Sequence, residues 1–195
     1  MAKRTMEAPE SLGGSKFLDV PGTYLFHVVD VKDGRMVGKE DKLISGFSMQ
    51  LQVTCGEHAG KECNLTLFDP KLTDKNEGAF ARQKQFAFCV AADLLKPTDL
   101  GKPVSYDPED GKERFVIATL EKGRDERYLD LHYSDIFHVD DPRAPKHERS
   151  DDVLSLIPKQ YRHDAAYFDA LKKGKPSNGA TKAAAGLSQS QLDSL

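Results

Sequence analysis

The 195-residue sequence has no tryptophan, and aromatics make up 8% of it, as ten Phe and six Tyr. It has no run of about 18 apolar residues, so no helix spanning a membrane is expected. Met1 to Met6 is not followed by an apolar stretch, which argues against a secretory signal. Cysteine is scarce: three is an odd count, and without a signal it points to free thiols in a reducing cytoplasm. An excess of one charge is missing as well. With 28 basic against 31 acidic residues the net charge is −3, so any affinity for nucleic acid must come from local cations. Catalytic signatures are absent too: no Gly-rich loop before a helix, no Gly-x-Ser-x-Gly turn, no His-Glu-x-x-His and no carboxylate pair at motif spacing. The six His are scattered through the chain. The reading is a non-enzyme without a cofactor.

What the sequence does carry is a period-two pattern. Residues 1–20 read as a flexible lead-in, 21–139 as a folded domain, 140–173 as linker and short helix, and 174–195 as a disordered tail. After the turn at Pro21 and Gly22, Tyr24, Phe26 and Val28 alternate with Leu25, His27 and Val29, a strand with a mixed second face. Between 43 and 54 one phase is Leu43, Ser45, Phe47, Met49, Leu51 and Val53, while the other holds Ile44, Gly46, Ser48, Gln50, Gln52 and Thr54. Across a turn at Gly56 to Gly60, Cys63, Leu65 and Leu67 return on one face, with Asn64, Thr66 and Phe68 on the other, which predicts a hairpin. Asn76 is placed as the N-cap of a helix whose stripe runs from Ala79 to Leu94. Pro103 to Tyr106 and Arg114 to Leu120 read as a second hairpin, and Leu129, Leu131 and Tyr133 as a further strand face. Tyr167, Phe168 and Leu171 mark a short helix over 164–173.

Three strands, a helix, then further antiparallel strands is the layout of a five-stranded Greek-key barrel of the OB type, with the helix between strands 3 and 4. An open antiparallel sheet backed by one helix, or a sandwich, fits the same pattern. One metal-like spacing is present, Cys55, His58 and Cys63. A closed zinc site needs four ligands, and both cysteines continue an apolar face, so the plain reading is core.

Barrels of the OB type bind single strands on the outer face of strands 2 and 3, framed by the loops after strands 1 and 4. Here that face offers Gln50, Gln52 and Thr66, with Phe68 read either as a base-stacking platform or as a ring closing the barrel. Lys32, Arg35, Lys39 and Lys42 fall in the first loop region, Lys122, Arg124 and Arg127 in the other. Lys71 follows strand 3, and Tyr128 is a second outward aromatic. These thirteen residues form the candidate nucleic-acid surface.

The runs Pro21-Gly-Thr-Tyr-Leu-Phe-His-Val-Val-Asp-Val31, Phe47-Ser-Met-Gln-Leu-Gln-Val-Thr-Cys-Gly-Glu-His-Ala-Gly-Lys61 and Arg127-Tyr-Leu-Asp-Leu-His-Tyr-Ser-Asp-Ile-Phe-His-Val-Asp-Asp-Pro142 resemble a family of uncharacterised phage and prophage proteins. These are similar to OB-fold single-stranded-DNA-binding proteins encoded near replication and recombination genes. The resemblance spans about residues 21–142 and implies binding of single-stranded DNA without sequence preference, in replication or recombination. Bacterial relatives of that kind end in an acidic tail with a terminal Phe that recruits partners. This chain ends Leu192-Asp-Ser-Leu195, with Lys175 and Lys182 upstream. That departure argues against a standard partner-recruiting tail; the helix around Tyr167, Phe168 and Leu171 is read either as docking a replication or recombination partner or as packing back on the barrel. The alternative is a non-catalytic protein-interaction module on the same barrel.

Overall fold

The computed structural model describes residues 16–37, 43–69, 77–123 and 129–173. The protein is mainly β. Five strands, β1 (Gly22–Val37), β2 (Leu43–Val53), β3 (Glu62–Phe68), β4 (Phe115–Lys122) and β5 (Leu129–His138), pair antiparallel in the order β3-β2-β1-β4-β5. Lys16 to Leu18 adds a single parallel bridge beside β3, through the Leu18 N–H on Glu62 O at 2.8 Å. No ladder joins β3 to β5 among the described residues, so the sheet is not closed, although the two strands touch. Three helices accompany it: α1 (Glu77–Ala91) between β3 and β4, and the short α2 (Asp151–Leu156) and α3 (Asp169–Lys173) after β5. None is long and apolar enough to cross a membrane.

Apolar residues at alternate strand positions build the core. Phe47, Met49, Leu51 and Val53 of β2 and Cys63, Leu65 and Leu67 of β3 are all buried, facing Phe26, Val28 and Val31 of β1. The alternation in β1 breaks once. A bulge between Val28 and Asp30 inserts one residue, so Val28 and Val31 both turn inward while His27 and Asp30 both stay on the opposite face. α1 contributes Phe88, Cys89, Val90 and Ala91 to the same core, with the Phe47 and Phe88 rings 5.5 Å apart. Each fully buried Phe removes enough apolar surface to stabilise the fold by roughly 1.5–3 kcal/mol.

Several expectations change. Pro103 to Tyr106 forms no strand; β4 pairs with β1 and β5 instead. Tyr106 packs on the core with its hydroxyl donating to Gln85 Oε1 at 3.1 Å. The C-terminal helix begins as a 3₁₀ turn over Ala165–Phe168 before α3. The expected helix cap at Asn76 and the tail 174–195 lie outside the described residues.

Residues 140–173, read from sequence as linker and short helix, pack on the sheet. Leu25 and Ile117, on the face of β1 and β4 that points away from the core, join Val139 and Ile157 in a second buried cluster. Val153, Leu154 and Tyr161 pack against it. Asp140 fastens this layer by accepting from both Arg162 Nε (2.8 Å) and the His163 backbone N–H (3.0 Å). Among the described residues, the outward face of the sheet is therefore covered at one end and open at the other.

Candidate nucleic-acid interface

The open end is the outer face of β1, β2 and β3. Residues paired across antiparallel strands share a face, and here they form rows: His27, Gln52 and Glu62; Asp30, Gln50 and Asn64; Lys32, Ser48 and Thr66; Gly34, Gly46 and Phe68. Asn64 and Thr66 are exposed, Ser48 and Gln52 half-buried. Among the described residues none of these four side chains makes a hydrogen bond.

Phe68 is half-buried and in phase with Asn64 and Thr66 rather than with the inward Leu65 and Leu67. Two features fix it there. A Cβ at Gly46, its cross-strand neighbour, would lie 2.9 Å from Phe68 Cα and closer still to the Leu67 carbonyl, so only glycine allows this approach. From the helix side, Gln85 Nε2 donates to Phe68 O (3.3 Å) and Asp69 Oδ1 (2.9 Å).

Charge on this face is mixed. Lys32 and Lys112 both reach Asp30 at 3.5 Å. Slight burial alone would raise the Asp30 carboxyl, but Lys112 and then Lys32 outweigh it and hold it below its ordinary value. Such exposed pairs are worth only about 0–1 kcal/mol, so an anionic backbone can compete for both lysines. Gln50 is committed, donating to Glu62 Oε2 at 2.8 Å. Hydrogen bonds from Lys16 and Gln50 keep Glu62 ionised and below its ordinary value despite its burial.

The remaining candidates separate. Arg35 stands on β1 opposite Ser45 in the hairpin arm beyond Lys32. Lys122 is exposed at the end of β4, two residues beyond Leu120, which pairs with Gly22. Ten residues of β1 divide Gly22 from Lys32, roughly 30 Å of strand, so Lys122 belongs to no row that holds Lys32. Lys39, Lys42, Lys71, Arg124, Arg127 and Tyr128 lie outside the described residues.

Sequence reasoning missed Phe115. It is half-buried, pairs across from His27 and so extends the row of His27, Gln52 and Glu62 onto β4. The His27 ring lies 5.0 Å from it at 31°, and His27 Nε2 and Glu113 Oε2 are 3.0 Å apart. Phe115 also packs against the second buried cluster, so it stands where the covered end of the face meets the polar end, diagonally across from Phe68.

Two groups of residues in the structure are of the types that bind metals. Cys63 is buried in the core, where desolvation pushes its thiol up to about 12. Cys55 lies past the end of β2, packed on the second cluster rather than the main core, with its S–H donating to Glu148 O at 3.3 Å. Cys55 and His58 line a hollow of about 390 Å³ with His147, from which Cys63 is turned away.

Asp93, His138 and His163 offer ligand atoms within 4.8 Å of one another. The Asp140 backbone N–H donates to His138 Nδ1 at 3.0 Å, however, so that nitrogen is the acceptor and the proton sits on Nε2. His138 Nε2 then donates to Asp93 Oδ2 and Tyr161 O, both at 3.1 Å, with no lone pair left for a metal. His163 Nε2 meets Asp93 Oδ1 at 2.7 Å, and its ring stacks on Tyr167 at 3.8 Å. Asp93 closes α1 with φ +58, a left-handed position usual for Gly or Asn. Its carboxylate is what the position needs: it ties the helix end to the C-terminal layer. The group is a structural clamp.

No protein-family model matches the chain, and no curated protein does either.

Proposed function

We propose that the protein is a non-catalytic binder of single-stranded nucleic acid, built on an OB-type sheet and acting on DNA in replication or recombination, in a phage or prophage setting. The strand order β3-β2-β1-β4-β5, with a helix between β3 and β4, is the connectivity such a barrel requires, and the contact between β3 and β5 lies where closure would occur.

One observation carries the reading. The chain covers the apolar end of its outer face, at Leu25 and Ile117, with its own C-terminal layer. Among the described residues nothing covers the polar end, where the side chains of Ser48, Gln52, Asn64 and Thr66 have no hydrogen-bond partner and which Phe68 and Phe115 flank. Polar groups with unspent hydrogen bonds between aromatic platforms suit bases and sugars, each stacked base adding about 1–3 kcal/mol. Lys32, Lys112 and the candidate lysines and arginines of the adjoining loops would meet the phosphates.

Fluorescence titration of labelled oligo-dT at two salt concentrations tests this. The expected result is micromolar or tighter binding in low salt that weakens as salt rises. Absence of binding in low salt, or binding indifferent to salt, overturns it.

A further inference from the structure

We propose that Phe17 is a stacking seat for one base of a single strand crossing the outer face, on the side of β3 away from β2. This rests on the nucleic-acid reading above. Phe17 bridges to Glu62, so it shares the face of the row His27, Gln52 and Glu62, which Phe115 continues on β4. Leu18, the next residue, is buried in the core, as the opposite phase requires. The row therefore ends in a phenyl ring on each side, four strand spacings or roughly 19 Å apart. Between the rings stands Gln52, whose side chain has no hydrogen-bond partner among the described residues. Phe68 stands at the other end of β3, so three rings border the polar face.

At 59% exposure Phe17 is the most exposed Phe among the described residues. It is held in place from both sides. The Leu18 N–H donates to Glu62 O at 2.8 Å, and the Glu62 N–H donates to Lys16 O at 2.9 Å. Lys16 Nζ lies 2.8 Å from Glu62 Oε1, so the acid beside the ring has its own counter-charge. With the backbone pinned in this way, the place of the ring is set before a ligand arrives, and binding loses little freedom in using it. Among the described residues its neighbours on the face, Lys16, Glu62 and Gln52, are polar. That setting suits a lone base, which needs one ring to stack on, rather than a protein partner, which covers an apolar patch. The Gln52 amide then offers a donor and an acceptor to the edge of the next base.

The full chain and its variants are titrated with oligo-dT of about 15 nucleotides across a salt series, and each variant is melted to check folding. Phe17→Ala is expected to weaken binding about tenfold. It should leave the slope of log affinity against log salt unchanged, because a stacked ring releases no counterion. The chain has no tryptophan, so Phe17→Trp gives it a single indole at the seat. That variant should bind at least as tightly as wild type, with its emission quenched as oligo-dT is added. Leu156→Ala, which removes an apolar side chain 70% exposed on α2, should match wild type. If wild type binds and Phe17→Ala matches it, the stacking seat is overturned and the wider reading stands. Indole emission unchanged at saturating oligo-dT overturns the seat as well, and this readout decides alone if Phe17→Ala does not fold. An equal loss of affinity in Leu156→Ala overturns it too. So does a wild-type dimer in sedimentation that Phe17→Ala dissolves, since the ring would then serve a contact between copies of the chain. Wild type failing to bind refutes the nucleic-acid reading itself.

Discussion

Phe68 and Phe26 are the same residue type in opposite circumstances, and comparing them separates binding from folding. Phe26 is fully buried in the core, whereas Phe68 is half-buried on the polar face beside Gly46. Phe26→Ala should cost about 3–5 kcal/mol of stability, and any loss of oligonucleotide binding should follow from unfolding. Phe68→Ala should cost less than half of that and weaken binding by about 1–3 kcal/mol with the fold intact. Urea denaturation alongside oligo-dT titration measures both; a Phe68→Ala protein that binds normally would remove the platform. The phase of Phe68 was readable in the sequence, because Asn64 and Thr66 share it. That of Phe115 was not. It opens the run Phe115-Val-Ile-Ala118, apolar in both phases, and such a run does not say which side is out. Cys55 misled for a related reason: period two places it after Val53, but the strand has already ended there.

At the scale of elements, the second packing layer had a signal that went unused. Leu25 and Ile117 are apolar at positions whose neighbours in phase, His27 and Thr119, are polar. They pair with each other across β1 and β4, so an apolar pair on an outward face marks something lying over it. The segment that covers them is rich in Asp, Arg and Pro and looks like a linker, because polar clamps rather than an apolar stripe attach it. Asp140 is the centre of one such clamp. Burial alone would raise its carboxyl, but Arg162, the His163 N–H and His138 together hold it below its ordinary 3.8. A carboxyl depressed in the folded state contributes stability that is complete above the unfolded pKa and is lost as pH falls through the folded one. Asp140→Asn should therefore be less stable than wild type at pH 6, and the gap should close below about pH 4. Asp30 and Glu62 are depressed in the same sense but cancel between the two proteins. Denaturation at several pH values reads the gap, and one that persists in strong acid would mean the carboxylate charge is not what matters.

For the molecule as a whole, the strand and helix order of the mainly β sheet was legible because period two and helical spacing are local signals. The extent of the folded unit was legible only in part: the outward apolar pair Leu25 and Ile117 says that something covers that face, but no local pattern says that Ile157 does. A domain cut at 139 looks complete in sequence, yet it would bare Leu25, Ile117 and Val139 and leave His138 without its Tyr161 acceptor. It would also remove Phe168, which is fully buried with its ring 5.3 Å from that of His138. Each large apolar side chain returned to water costs roughly 1.5–3 kcal/mol, and small domains have only about 5–15 kcal/mol in all. A chain ending at Val139 should therefore be mostly unfolded or aggregated at 25 °C and bind a hydrophobic dye. One ending at Lys173 keeps every contact described and should melt with the full chain. Circular dichroism melts of the three proteins decide the matter: a cooperative transition near the full-length value in the chain ending at Val139 would show that the C-terminal layer only decorates the sheet. If that chain unfolds, the layer is part of the core, and the polar face is the part of the sheet that the described residues leave uncovered.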